Sequence, residues 1–149
     1  MSAELKLYKG VWIRPDVRAD GAMVKESGKN YKHFRMREGD RVLDLGANIG
    51  AFGHMVALAG VRPADYIAYE PDPKNVELLK KNTNERIVLV QAVATMSREK
   101  TVTFYQTESS NAACSGTATP PTNQSKSMRK VRYEVANEYL PSVIDYYRP

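Results

Sequence analysis

The sequence predicts an α/β fold built on a parallel sheet and preceded by a short N-terminal extension. Two observations carry that prediction. Residues 41–46 (RVLDLG) and 66–69 (YIAY) are short apolar runs of the kind buried parallel strands use. Between and after them, residues 48–58 and 73–82 place apolar side chains at helical spacing. With a third strand expected at 87–93, the order β-α-β-α-β implies right-handed crossovers within one sheet.

Taken in order, residues 1–37 form the extension. Val11, Trp12 and Ile13 are an apolar run that Pro15 and Asp16 end. Arg18-Ala19-Asp20-Gly21 reads as a turn, because Asp-Gly pairs accept positive φ at low cost. A small hairpin or an entry helix packing on the main sheet suits this segment. The main domain, residues 38–149, opens with the turn chemistry of Glu38-Gly39-Asp40. Phe52, Met55, Val56 and Ala59 share one face of its first helix, which Gly60 is placed to end, with Pro63 beyond. Asp72 is placed to cap the second helix, with Pro73 at its first position, where a missing N–H costs nothing. Residues 101–105 alternate as a strand, and 107–127, rich in Ser, Thr, Asn and Pro, read as a long loop. Strand-like alternation returns at 129–133, and a short helix interrupted by Pro141 is expected over 134–147.

Composition narrows the function classes. At 149 residues and 42% hydrophobic content the chain can bury one core, though it is short for a complete doubly wound enzyme. Its formal charge of +5 attracts phosphates or acidic partners at long range without specifying a fold. A single cysteine, Cys114, excludes an internal disulfide and a cysteine-cluster metal site, and two histidines, His33 and His54, are too few for an all-histidine site, so no metal is expected. The N-terminus MSAELKLYKG has no apolar leader, and no stretch approaches a membrane span. The expectation is a cytoplasmic protein without a membrane partner.

The chemistry concentrates where the first strand meets its helix, in Asp44-Leu45-Gly46-Ala47-Asn48-Ile49-Gly50. Two glycines four apart let the backbone turn tightly and approach a ligand closely. A dinucleotide fingerprint would need a glycine where Asn48 stands, and the carboxylate of Asp44 would repel a pyrophosphate. A cationic ligand, a sulfonium or an amino group, suits Asp44 far better. Glu70 ends the second strand about 20 positions beyond the glycine turn, where a carboxylate can accept hydrogen bonds from a ribose diol.

These residues resemble a known family. VLDLGANIGAFG (residues 42–53) resembles motif I of class I methyltransferases, and YIAYEPDPKNVELLKKN (66–82) resembles motif II. The wording D-x-G-A-N-I-G followed by E-P-D-P is similar to the FkbM family of S-adenosylmethionine-dependent methyltransferases. The order of residues 87–94, of TVTFY and of ESSNAACSGT follows the same family, so the resemblance covers roughly residues 38–117. It implies a Rossmann-like sheet and S-adenosylmethionine as cofactor. Asp44, Gly46, Asn48 and Gly50 would line the methionine side, Glu70 would hold the ribose, and Pro71 and Asp72 would lie near the adenine. Gln91 and Ala92 would meet the adenine edge. Family members continue into a strand with an acidic Lys-x-Asp-x-Glu-Gly motif, and this sequence reaches Pro149 before it. The resemblance therefore implies a sheet incomplete at its C-terminus, with an exposed edge through which the chain self-associates or recruits a partner chain.

The expected reaction is methyl transfer to an oxygen of a small-molecule acceptor or sugar, with no general base identifiable. A non-catalytic cofactor-binding or interaction module is the alternative from another class. A nucleic-acid methyltransferase is the third reading, resting on charge and on Tyr8, Trp12 and Tyr31 as stacking residues. Cys114 follows Ala113 rather than the proline of the cytosine-methylating enzymes, and no Asn-Pro-Pro-Tyr or Asp-Pro-Pro-Tyr occurs. Lys80 and Lys81 read as a solvated helix face. His54 lies one turn into the first helix, within reach of the cofactor cleft, but nothing orients it.

Overall fold

The computed structural model describes residues 4–83, 87–107 and 130–148. Lys9 and Gly10 both take positive φ, 51° and 83°, the geometry of a tight hairpin turn. They join β1 (Lys6–Tyr8) to β2 (Val11–Ile13) as an antiparallel pair. The segment expected as a turn at Arg18–Gly21 is instead the start of α1 (Arg18–Asn30). Asp20 decides the difference. Its buried carboxylate accepts from Arg14 N, Nε and Nη2 at 2.8–2.9 Å, so it ties the hairpin to the first helical turn rather than bending the chain.

The extension holds both a hairpin and a helix, where a small hairpin or an entry helix was expected. It packs chiefly on the helices behind the sheet rather than on the sheet itself. Val11, Ile13 and Val24 form one core with Ile49, Ala51 and Leu78. Asn82 locks the seam: Trp12 N donates to its Oδ1 at 2.7 Å, and its Nδ2 donates to Trp12 O and Ile49 O.

Strands β3 (Val42–Leu45), β4 (Tyr66–Tyr69) and β5 (Val88–Val90) form a parallel sheet in that order. Helices α2 (Ala51–Leu58) and α3 (Pro73–Asn82) connect them. Gly60, at φ 83°, ends α2 as expected, and Lys74 N donates to the Asp72 cap at 2.9 Å. On one face Tyr66 and Ala68 pack with Val56, Val61 and Leu79; on the other Ile67 and Tyr69 pack with Ala92 and Val143.

The second half differs from expectation in two places. The strand expected at 87–93 breaks at Gln91 and Ala92, so β5 joins β4 while β6 (Val93–Thr95) joins another sheet. Ala92 is buried at this break, and its N–H turns back to Val90 O. The helix expected from 134 begins later, because β8 runs over Lys130–Tyr139. There Val135 and Asn137 point inward while Glu134, Ala136 and Glu138 are exposed, the two-residue period of a strand. β8 lies between β6, parallel to it, and β7 (Thr101–Thr107), antiparallel. Pro141 sits in the first turn of α4 (Leu140–Tyr147), so it starts that helix instead of interrupting it. The loop expected over 107–127 falls, beyond Thr107, outside the described residues. The whole is a mixed α/β structure, and among the described residues no helix is long and apolar enough to cross a membrane.

Candidate functional site

The turn from β3 into α2 alternates left-handed residues: Gly46 at φ 88°, Asn48 at 51° and Gly50 at 82°. Asparagine tolerates that region better than most side chains, which is why it can stand where a dinucleotide fingerprint would carry its middle glycine. Its Oδ1 accepts from Ile49 N at 2.8 Å. Tyr69 O accepts from both Gly46 N and Ala47 N at 2.9 Å, anchoring the turn to β4. Gly50 is needed twice, for its φ and because a Cβ there would lie 2.8 Å from Leu79 Cδ1, where α2 crosses α3.

Glu70 is 5% exposed and its acceptors are engaged within the chain. Oε2 accepts from Asn48 N at 2.8 Å, and Oε1 from Asp72 N at 3.0 Å and Asn75 Nδ2 at 3.3 Å. Burial pushes its carboxyl above the ordinary range, against the pull of those N–H donors. Glu70 thus pins the glycine turn to the start of α3, a structural role absent from the sequence reading. Pro71 and Asp72 are buried beside it, Asp72 as the cap of α3. Gln91 is exposed, and Ala92 belongs to the core under α4, on the sheet's other face.

Asp44 lies on the same side as the turn, and Tyr66 Oη donates to its Oδ2 at 2.6 Å. Gly53 makes that contact accessible, since a Cβ there would meet the Tyr66 ring at 2.8 Å. Burial raises the Asp44 carboxyl above its usual range, partly offset by the Tyr66 bond. The Tyr66 phenol is pushed well above its own range by burial and then by Asp44.

Asp44, Gly46 and Asn48 open together on a pocket of about 110 Å³. Its other wall is α1, through Met23, Glu26, Ser27, Asn30 and Tyr31, and Tyr31 stacks on Phe52 at 4.4 Å between centroids. The charged residues lining it, Asp44 and Glu26, are both acidic. Sequence pattern does not mark α1, because its buried stripe of Asp20, Val24 and Ser27 has helical spacing but only one apolar residue. Tyr31, named as a stacking residue, stacks on another side chain of the chain.

His54 is turned away from this pocket: a Cβ on Gly10 would come within 2.6 Å of its Nε2, so it packs on the hairpin turn. His33 is exposed, and Cys114 lies outside the described residues. Lys81 does more than face solvent, since its Nζ sits 4.3 Å from the Trp12 ring centroid. Among the described residues no three His, Cys, Asp or Glu side chains gather as a metal site. Compared with protein-family models, with curated proteins and with solved structures, the chain matches none.

Proposed function

We propose that this chain is an S-adenosylmethionine-dependent methyltransferase of the Rossmann-like class I kind that its motifs resemble, acting on an oxygen of a small molecule or sugar. The observation that carries the reading is the half-buried carboxylate of Asp44, open to a pocket beside a left-handed glycine turn at the carboxyl end of a parallel strand. Such a carboxylate is costly unless a cation neutralises it, and a sulfonium amino acid is one. The donor set fits that group: Asp44 and Glu26 suit the cationic end, and the backbone around Gly46 and Asn48 allows close approach. When bound, S-adenosylmethionine supplies an activated methyl group, and alignment of the acceptor with it would supply most of the rate.

Sites for drug-sized ligands occupy about 300–1,000 Å³, so a pocket of about 110 Å³ admits one end of such a ligand only. In this reading α1 moves outward when the cofactor binds, and the Tyr31–Phe52 contact opens. The ribose contact of Glu70 requires the same adjustment, with the diol competing for a carboxylate that already holds Asn48 N–H. By the resemblance Gly50, Pro71, Asp72 and Gln91 would also border the cofactor, whereas Ala92 would reach it only by leaving the core under α4. Self-association belongs at the outer side of β3, which no strand among the described residues pairs and where Leu45 is 45% exposed.

Calorimetric titration with S-adenosylmethionine, S-adenosylhomocysteine and NAD tests the assignment. The first two should bind, NAD should not, and Asp44→Asn should weaken S-adenosylmethionine binding. Comparable affinity for NAD would sink it. The engaged state of Glu70 and the position of His54 favour a second reading, a module that binds the cofactor without turnover. Binding without methyl transfer to any hydroxyl acceptor separates the two.

A further inference from the structure

On the face of the sheet opposite the glycine turn, β8 and α4 enclose a cleft of about 480 Å³ lined by Glu138, Tyr139, Ser142, Val143, Tyr146 and Tyr147. Its rings stand at right angles. Tyr146 and Tyr147 meet at 88° with centroids 4.9 Å apart, and Tyr147 meets Tyr69 at 82° and 6.4 Å. Tyr69 Oη donates to Glu138 Oε2 at 2.6 Å, which fixes the carboxylate at the cleft. Its Oε1 makes no hydrogen bond among the described residues. Tyr146 is 80% exposed, an orientation that packing alone does not require.

We propose that this cleft is a binding site for a small organic ammonium, held by the Glu138 carboxylate and by the faces of Tyr146 and Tyr147. Perpendicular rings form two walls of a corner, and each face is the negative pole of an aromatic quadrupole. A carboxylate at the base adds charge attraction and disfavours anions. The cleft already shows the preference at its margin, where the guanidinium of Arg98 lies 4.2 Å from the Tyr139 ring centroid. No lysine or arginine lines the cleft itself. A neutral sugar would find hydroxyls here but would leave the carboxylate's charge unmatched. The site is independent of the cofactor reading, because neither Asp44 nor the glycine turn contributes to it.

Nuclear magnetic resonance titration with choline, against sodium chloride of equal ionic strength, reads this directly. Its neutral counterpart of the same shape, 3,3-dimethylbutan-1-ol, isolates the charge. Choline should bind with a millimolar dissociation constant, centred on residues of α4, and the alcohol at least about fivefold more weakly. Glu138→Gln should weaken choline by about tenfold and Tyr146→Leu by about threefold, with melting temperatures unchanged because both side chains are exposed. Retention on phosphatidylcholine vesicles would assign the cation to a lipid headgroup, and choline binding without retention to a free amine. Equal affinity for choline and the alcohol, or wild-type affinity in both variants, overturns the proposal.

Discussion

Strand β4 carries two tyrosines that make the same bond in opposite surroundings. Tyr66 and Tyr69, an odd number of residues apart, point to opposite faces, and each phenol donates to a carboxylate at 2.6 Å. Both rings are buried, Tyr66 at 2% and Tyr69 at 1% exposed, so the surroundings differ at the carboxylates: Asp44 is half-buried, and burial pushes both it and the Tyr66 phenol up in pKa. Tyr69 meets Glu138 beside an open cleft, where water reaches the carboxylate. Identical chemistry therefore does different work. In the Tyr66–Asp44 pair the hydrogen bond compensates a partly desolvated charge; in the Tyr69–Glu138 pair it orients a charge that water already solvates.

The side of the Tyr66–Asp44 pair should respond most to truncation. Glu70 shares it with Asp44, and Glu70→Ala would leave Asn48 N–H, Asp72 N–H and the Asn75 amide without their acceptor. A stability loss of about 3 kcal/mol is expected in chemical denaturation. Glu70→Gln keeps one acceptor oxygen and removes the buried charge, so it should recover part of the loss. An unchanged midpoint for Glu70→Ala would mean that these three hydrogen bonds do not hold the glycine turn to α3.

Next in size is Tyr66→Phe, which removes the one donor that lowers the Asp44 carboxyl. A cost of about 1 kcal/mol at neutral pH follows from a half-buried carboxylate left without its partner. Because the carboxylate is what suffers, the cost should shrink as the solution is acidified and Asp44 takes up its proton. A cost independent of pH would mean that lost ring packing, not the bond, is being measured.

The same division explains what could be read from sequence. β3, β4, the Asp72 cap and the glycine turn are set by local backbone demands, and each leaves a residue signature: an apolar run, Asp-Pro, or glycine at positive φ. The two tyrosine–carboxylate bonds join residues 22 and 69 positions apart, and nothing local marks either pair. α1 was hidden because Asp20 and Ser27 sit on its buried stripe, where a hydropathy pattern looks for apolar residues. The break between β5 and β6 was hidden for the opposite reason, since residues 87–94 are apolar except for Gln91 and only pairing partners divide them.

Asp44→Asn sharpens the electrostatic half of the comparison. Burial raises the folded-state carboxyl of Asp44 above its unfolded value, so the fold binds that proton more tightly than the unfolded chain does. The stability this contributes is fully present below the unfolded pKa of about 4 and is lost as pH rises through the higher folded value. Asparagine carries no such penalty. The variant should therefore match or trail the wild type in acid and gain on it as pH rises toward neutrality, measured by denaturant midpoints across that range. A cationic ligand needs the ionised form, so its affinity for the wild type should climb over the same interval.

The smallest effect belongs to Tyr69→Phe. The hydroxyl is buried but its acceptor Glu138 is exposed and water can serve that carboxylate equally well, so the bond contributes about 0.5–1 kcal/mol. The ring stays, and with it the packing against Ala92 and Val143. The Tyr69 phenol is pushed above its ordinary range by burial and by Glu138, so it remains a donor through neutral pH and the small cost should be flat there. What should change is the cleft. Without its donor Glu138 is free to swing into solvent, and choline affinity should fall while the denaturation midpoint barely moves. A large stability loss with unchanged choline affinity would reverse the contrast between the two faces, making Tyr69–Glu138 a structural bond like Tyr66–Asp44.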